Sequence, residues 1–297
     1  MSRLLVVLHI YYHDQVDYFI DKFANINGCE WDFVVTWSTF SQETKDKLLA
    51  FKPGSEFILV DNAGYDVWPF IKVIRKTDFS RYDYVLKLHT KRFMSQTMRL
   101  EGLNMNKWFW RDTLINPLLK SRERFKRCIK MMEDNVQIGY ICSYELHMGL
   151  QGMLKEDEEM LRKEAERISL KNFDKGRFCA GTMFLARLQA LERLKHIEFS
   201  DEMWNFKAKS GISGTMAHVY ERMLCLLILD AGYKSRSIPN SKRTSSKVFY
   251  RRNLYPYIKK VFTLDRSAVN NKKYLILLGV RFNLSDLKRK RIFDRHK

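Results

Sequence analysis

Short apolar runs alternate with segments of helical periodicity in the first third of the chain, and this alternation constrains the fold more than any other feature. Residues 4–10 (LLVVLHI) form a continuous apolar run of the kind that buried parallel strands show. Similar strands are predicted over 31–37, 57–60 and 82–88, and helical spacing such as that over 14–26 separates them. The pattern predicts an α/β fold with a central, mostly parallel sheet flanked by helices.

The middle of the chain is predicted to be richer in helix. Residues 104–133 are rich in Leu, Ile, Lys and Arg, and residues 153–170 form a charged helical pattern. Two further strands are predicted over 136–142 and over 178–185, and a helix over 216–230. No internal repeat or low-complexity linker divides this region.

The net charge of +19 is concentrated at one end of the chain. Residues 241–297 hold 17 Lys or Arg against three Asp, and so supply +14 of the total. Such a segment favours contact with a polyanionic surface, either phospholipid or nucleic acid. Its aromatic and aliphatic residues are interleaved with cations over 248–262, which is typical of an interfacial amphipathic segment. We expect a domain over 1–240 and a basic, helical, membrane-associating segment over 241–297, in which 288–291 form a basic cluster.

Composition and patterning exclude several other classes of protein. No run of about 18 apolar residues occurs, which argues against a transmembrane helix. The first residues lack a small-residue cleavage site, so we interpret them as a strand rather than a signal peptide. The five cysteines show no metal-type spacing and are predicted to be the reduced thiols of a cytoplasmic protein.

Ligands of open α/β sheets bind at the carboxyl ends of the strands, so polar residues at predicted strand ends are candidates for a site. Each candidate also has an ordinary structural explanation, such as a hydrogen-bonded core histidine, a turn, or a pair of charges on a helix surface. Their joint placement favours a functional site. The candidates at or near this edge are His9 and Tyr11, then Asn62, Gly64 and Asp66, then His89 and Lys91, then Gly181 and Thr182, and on one predicted helix His218, Glu221 and Arg222.

Five segments, taken in order, carry a resemblance to a known family: DNAGYDVWPF, YDYVLKLHTKR, FCAGTMFLAR, HVYERML and AGYKSRSIP. Over about residues 4–240 the chain resembles the rhamnan synthesis F family, glycosyltransferases of bacterial cell-surface polysaccharide assembly. The LHTK and HxxER elements are the most specific parts of the likeness. The family looks like a variant of the GT-A nucleotide-sugar transferases, so the resemblance implies a GT-A-like nucleotide-binding domain.

The resemblance implies transfer of a sugar from a nucleotide-diphosphate donor to a hydroxyl of a growing, lipid-linked polysaccharide of the O-antigen, capsule or rhamnan type. GT-A enzymes usually carry an Asp-x-Asp at the end of the fourth strand, where it holds a divalent metal. Here that position reads Leu88-His89-Thr90-Lys91. Because another cation must then neutralise the leaving diphosphate, we predict a metal-independent enzyme without cofactor, in which Lys91 supplies the charge.

The predicted site has three groups of residues. Glu221 is the candidate base of an inverting transfer. The candidate donor-binding residues are His9, Tyr11, Asn62, Gly64, Asp66, His89, Lys91 and Arg222, and those for the acceptor or the sugar are Gly181, Thr182, His218 and Arg111.

Two other functions remain open from the sequence. A pI near 9.7 and many aromatic residues suit a nucleic-acid-binding protein, but the basic residues concentrate in the tail and no recognised nucleic-acid motif occurs. A sugar-phosphate transferase acting on the same kind of acceptor is the second alternative. The donor sugar stays open among rhamnose, galactofuranose, fucose and others. The expected location is the inner face of the bacterial plasma membrane, with no nucleic acid as partner.

Overall fold

The computed structural model describes residues 1–150, 155–171, 173, 176–205, 214–266, 273–278 and 280–283. The chain divides into two compact units. Unit 1 comprises Met1–Met98 and Met105–Asn240, and unit 2 comprises Arg99–Asn104 and Ser241–Lys297. The first two residues of the predicted helix over 153–170 and the basic cluster over 288–291 lie outside the described residues.

The strands and helices follow the alternation that the sequence predicts. The strands are β1 (Arg3–Ile10), β2 (Glu30–Trp37), β3 (Glu56–Leu59), β4 (Tyr84–His89), β5 (Met94–Leu100), β6 (Leu103–Lys107), β7 (Ile138–Ser143), β8 (His147–Gly149), β9 (Arg177–Cys179), β10 (Phe184–Arg187), β11 (Lys234–Ile238), β12 (Phe262–Arg266), β13 (Lys273–Leu277) and β14 (Val280–Asn283). The helices are α1 (Val16–Phe23), α2 (Gln42–Phe51), α3 (Val67–Lys76), α4 (Phe109–Leu119), α5 (Arg122–Asp134), α6 (Lys155–Arg167), α7 (Met216–Asp230), α8 (Lys242–Phe249) and α9 (Tyr255–Val261).

The core of unit 1 is a seven-stranded sheet in the order β11-β7-β10-β4-β1-β2-β3. Strands β1, β2, β3 and β4 pair in parallel, as do β7 and β11, whereas β10 runs antiparallel to both of its neighbours. The apolar runs form the central strands because both faces of the sheet are covered: Leu4–Leu8 of β1 are all buried. The predicted α/β class with a large, mostly parallel sheet flanked by helices is confirmed.

Helix α7 is buried along most of its length, so it acts as a central support rather than a surface helix. Its N-cap Thr215 accepts a hydrogen bond from the backbone N–H of His218 at 3.4 Å. Buried residues then follow one another from Met223 to Ile228. The first turns of α7 are thereby fixed at the edge of the sheet where the parallel strands end.

Two predicted elements in unit 1 are wrong in detail. The predicted helix over 104–133 begins with strand β6 and is divided by Ser121, which caps α5 by accepting from the N–H of Arg124 at 3.3 Å. The predicted strand over 178–185 is two strands, β9 and β10. They are separated at Gly181 and Thr182, which both have positive φ angles that a strand does not allow.

Unit 2 corrects the prediction of a helical tail. Helices α8 and α9 are joined through a π-helical turn over Tyr250–Leu254, so the helical part ends at Val261. Strands β12, β13 and β14 then form an antiparallel sheet. Residues 262–266 (FTLDR) and 273–277 (KYLIL) contain the aromatic and β-branched types that favour strands.

Candidate functional site

One edge of the large sheet collects residues that are far apart in sequence. Parallel strands bring their carboxyl ends to the same edge, and the antiparallel β10 brings its amino end there. Residues 181 and 182 therefore arrive beside His9 and His89, although they precede their strand. A cavity of about 460 Å³ opens at this edge. Of the predicted site residues, it is lined by His9, Tyr11, Asn62, Asp66, His89, Lys91, Gly181, Thr182, His218 and Glu221.

A buried ion pair lies at the floor of the cavity. The ammonium of Lys87, only 1 % exposed, contacts the carboxylate of Asp66 and donates to Oγ1 of Thr182 at 2.9 Å. The Thr182 hydroxyl in turn donates to Asp66. Burial alone would raise the pKa of Asp66, but His89, Lys87 and these hydrogen bonds outweigh it and hold that pKa well below its usual range. Asp66 is therefore an ionised carboxylate whose charge is already compensated.

Sequence reasoning missed Lys87. A lysine in the middle of an apolar strand such as VLKL suggests an exposed position, whereas here a buried carboxylate accompanies it. Its two partners lie 21 and 95 residues away along the chain, so no local pattern identifies them.

The histidines at the two central strand ends are buried and uncharged at neutral pH. Burial lowers the pKa of His9 and of His89 to about 4. The ring of His89 lies between two backbone carbonyls, with Nε2 at 2.8 Å from the oxygen of Gly181 and Nδ1 at 3.0 Å from that of Thr90. We assign the single N–H to Nε2, which donates to Gly181. His89 therefore holds the turn at residues 181–182 while it lines the cavity.

Lys91 is a cation of the cavity without a carboxylate partner. It forms no ion pair with any described residue, and its ammonium lies 4.3 Å from the ring centre of Trp110. Gln15 fixes the backbone on which Lys91 sits by donating to its carbonyl at 2.8 Å. Burial lowers the pKa of Lys91 below its ordinary value, although Asp66 and Glu221 oppose this. Arg92, which the sequence reasoning did not single out, lines the cavity next to it.

Helix α7 presents a carboxylate and an imidazole to the same cavity. Oε1 of Glu221 accepts the backbone N–H of Gly181 at 2.6 Å. His218 lies one turn earlier, with Nδ1 at 2.8 Å from the hydroxyl of Thr215, and burial lowers its pKa. Its ring meets Tyr65 edge-on at 5.8 Å. Glu221, His218 and Lys91 therefore all line the same cavity.

Three predicted residues do not line the cavity. Gly64 has a φ of +67°, and a Cβ at this position would lie 2.7 Å from the ring of Trp204, so its role is close packing. Arg111 stacks at 3.5 Å over the ring centre of Tyr18 and contacts Asp112 at 3.1 Å.

Arg222 lies behind the lining of the cavity. Its guanidinium pairs with Asp157 of α6 at 3.3 Å, lies 5.2 Å from the ring centre of Phe178, and reaches Oε2 of Glu221 at 3.8 Å. Arg222 therefore touches a residue that lines the cavity, whereas the contacts given above for Arg111 are with Tyr18 and Asp112.

The residues of this edge do not suit a divalent cation. Among the described residues, Asp66 and Glu221 are the carboxylates that line the cavity. The first is held by Lys87 and Thr182, and the second by the amide of Gly181. Magnesium and calcium prefer several free oxygen ligands, which this set does not offer. No group of three or more His, Cys, Asp or Glu side chains with a metal-binding arrangement occurs in the described ranges.

A second cavity of about 480 Å³ adjoins the first, because Asn62 lines both. Its walls come from the ends of β2 and β3 and from one face of α3. The hydroxyl of Ser38, at the end of β2, lines it and has no hydrogen-bond partner among the described residues.

The described helices include none with the length and apolarity that a bilayer crossing requires.

Comparison with known proteins identifies the family. The model of the rhamnan synthesis protein F family matches residues 1–233, which confirms the resemblance seen in the five sequence segments. Two curated relatives are the uncharacterized protein WxcX of Xanthomonas campestris pv. campestris, from strains B100 and ATCC 33913. Each is 25 % identical over 237 residues, which cover 78 % of this chain and 32 % of the relative. The chain thus spans about a third of their length.

A mycobacterial protein of known crystal structure is also similar, with 14 % identity, a TM-score of 0.31, and coverage of 64 % of this chain and 55 % of the other. We draw no conclusion from that likeness. The family match over residues 1–233 includes every residue of the cavity. The chain belongs to the rhamnan synthesis protein F family.

Proposed function

We propose that unit 1 is a GT-A-like glycosyltransferase that moves a sugar from a nucleotide-diphosphate donor to a hydroxyl of a growing cell-surface polysaccharide. The observation that carries the proposal is the content of one cavity: an unpaired cation, Lys91, and a carboxylate, Glu221, both at the carboxyl edge of the sheet. A transferase needs these two functions, a positive charge for the leaving diphosphate and a base for the attacking hydroxyl.

The donor diphosphate binds against Lys91 and Arg92 in this proposal. Asp66 attracts Lys91 as well, but its carboxylate is paired directly with Lys87 and forms no ion pair with Lys91. The half-buried ammonium is therefore available to a phosphate oxygen, with which it forms a charge-assisted hydrogen bond. The nucleoside extends past Tyr11 and His9 toward Asn62, where the second cavity begins.

Transfer is metal-independent in this scheme. The end of β4 presents His89, Thr90 and Lys91, and the hydroxyl of Thr90 already accepts the backbone N–H of Tyr11 at 2.9 Å. A protein cation thus takes the role that a divalent ion has elsewhere, because either can stabilise the charge on the leaving diphosphate.

Glu221 acts as the base of an inverting transfer. Gly181 holds one of its oxygens, and 22 % of its side chain is exposed toward the cavity. The other oxygen, Oε2, lies 3.8 Å from Nη1 of Arg222 and is the one that the acceptor hydroxyl meets, while Gly181, Thr182 and His218 line the place where acceptor and sugar meet. Removal of the hydroxyl proton as the new bond forms is the step that Glu221 serves.

The basic tail attaches the enzyme to the inner face of the bacterial plasma membrane, where a lipid-linked acceptor is confined. Exposed large apolar residues of unit 2 recur at positions 250, 254, 257 and 261, a spacing that places them near one helix face. Exposed cations such as Lys247 and Arg251 accompany them. This mixture suits an anionic bilayer surface, where each basic residue contributes roughly 1 kcal/mol.

A thermal-shift series tests the proposal against its alternatives. Stabilisation of the full chain by UDP, dTDP or GDP is expected, because a ligand that binds the folded state raises the melting temperature. Stabilisation by oligonucleotides alone would support a nucleic-acid-binding protein instead. Analysis of the product then separates the enzymes: a transferred group that carries phosphate identifies a sugar-phosphate transferase.

A further inference from the structure

The turn between β9 and β10 is held in a conformation that its residues do not favour. Gly181 has a φ of +91° and Thr182 a φ of +51°. Glycine adopts such angles freely, but a β-branched residue in the left-handed region is a genuine outlier with a strained backbone. Any other residue at position 181 would be strained at this φ angle, and its Cβ would lie 2.8 Å from Cδ1 of Leu114, which would have to shift. Contacts elsewhere must therefore keep the turn in place.

Four polar side chains from different parts of the chain hold this turn. The amide of Gly181 donates to Glu221 on α7 at 2.6 Å, and its carbonyl accepts from Nε2 of His89 on β4 at 2.8 Å. The hydroxyl of Thr182 accepts from Lys87 and donates to Asp66. The strained backbone is thus fixed between the first turns of α7 and the buried ion pair.

A lysine in the core of a sheet needs an explanation, because burying its charge costs free energy. A buried ion pair stabilises the fold little compared with apolar packing, and removing one of its two partners leaves the other charge buried and unpaired. Lys87 reaches no described carboxylate other than Asp66, and it lies 1 % exposed beneath the cavity. The pair fixes the orientation of the Thr182 hydroxyl. That hydroxyl accepts one hydrogen bond from Lys87 and donates one to Asp66.

We infer that Lys87, Asp66 and Thr182 are positioning residues, which fix the turn at 181–182 so that the Gly181 amide orients the carboxylate of Glu221. The inference rests on the proposed function for the role of Glu221. Loss of the Thr182 hydroxyl lets the strained turn relax toward ordinary angles and moves the amide away from Oε1. Misplacement of a reacting group by about 1 Å costs on the order of 100-fold in rate.

Two isosteric substitutions test this inference in the full chain. Thr182→Val keeps shape and β-branching but removes the hydroxyl, and Thr113→Val is the matched control. Thr113 is a buried threonine of α4 whose hydroxyl has no hydrogen-bond partner among the described residues. Hydrogen exchange of the Gly181 amide, followed by mass spectrometry, is expected to accelerate in Thr182→Val and to stay unchanged in Thr113→Val. Thr182→Ser restores the hydroxyl and should restore protection.

Steady-state kinetics with nucleotide-sugar donors supply the second readout. Thr182→Val should lower kcat by about 100-fold, while KM for the donor and the Kd of the matching nucleoside diphosphate change by less than about threefold. Thr182→Ser should recover most of kcat. Lys87→Met should show the same kcat loss, and Thr182→Val keeps the test decisive if that variant does not fold.

Unchanged exchange of the Gly181 amide in Thr182→Val would overturn the inference, as would faster exchange with an unchanged kcat. The exchange readout needs no substrate. If the wild-type chain turned over no donor, the proposed function would fail separately, while exchange would still show whether Thr182 holds the turn.

Discussion

Replacing Lys91 with alanine is expected to weaken the binding of nucleoside diphosphate by about 10- to 150-fold. Lys91 is half-buried, lies 4.3 Å from the ring centre of Trp110, and has no carboxylate partner among the described residues. A hydrogen bond to a charged group is worth about 1.5–3 kcal/mol, which gives the stated range. The smaller value of exposed ion pairs, up to about 1 kcal/mol, does not apply because burial reduces screening by solvent.

Calorimetric titration with UDP, dTDP and GDP measures this effect. Lys130→Ala is the matched control, because it also removes one positive charge. Lys130 is an exposed residue of α5 that pairs with Asp134. It should bind like the wild type. An affinity of Lys91→Ala within about twofold of Lys130→Ala would refute the assignment of the diphosphate to Lys91.

The same site predicts a pH dependence of binding. Burial lowers the pKa of Lys91 in the free protein, whereas a bound diphosphate favours its charged form. The affinity for the diphosphate is therefore highest at pH values below the lowered pKa of Lys91. It falls as the pH rises through that pKa, in a range below the ordinary value of 10.5. Lys91→Arg keeps its charge at all these pH values and should lose this dependence.

Three further predictions concern metal, base and membrane. Activity should survive EDTA, and complete loss that manganese or magnesium restores would contradict a metal-independent reaction. Glu221→Gln should abolish turnover and leave nucleotide affinity nearly intact, because a base acts mainly in the transition state; near-normal kcat would require another base. Replacing the exposed Leu254, Tyr257 and Ile258 with serine should weaken binding to anionic liposomes severalfold, with added salt weakening the remainder. Equal liposome binding by the wild type and by this triple variant would show that these three residues do not anchor the protein.

The sequence predicted the central sheet well because its signal is local. Residues 4–10 are a continuous apolar run, which a strand buried on both faces requires, and 31–37 and 57–60 are also rich in apolar residues. The residues that follow them therefore met at one edge, as expected for parallel strands. Ten of the predicted site residues line one cavity for this reason.

What the sequence did not reveal depends on contacts between distant residues. Lys87 and Asp66 compensate each other across 21 residues, and neither has a neighbour in sequence that marks it as buried. Arg222 was expected at the cavity because it lies four residues after His218 on α7, yet it pairs with Asp157 of α6 and reaches the cavity only through Glu221. Helical spacing alone does not say which face of a buried helix meets a cavity.

The two errors at the level of elements have similar causes. Strand β5 (MSQTMRL) is largely polar and exposed, so no apolar alternation marks the hairpin that it forms with β6. The segment at 178–185 is mostly apolar, and its division depends on the backbone angles of Gly181 and Thr182. The glycine was the available signal, since a glycine inside a strand pattern often marks a departure from it.

The central claim is that the cavity at the carboxyl edge of the sheet binds the diphosphate of a nucleotide-sugar donor. A crystal structure of the full chain, soaked with whichever of UDP, dTDP and GDP stabilises it most, tests the claim directly. The account predicts phosphate oxygens within hydrogen-bonding distance of Nζ of Lys91, with the carboxylate of Glu221 facing the open end of the diphosphate. A nucleotide bound elsewhere on the chain, or binding of oligonucleotides but of none of the three nucleotides, would contradict it.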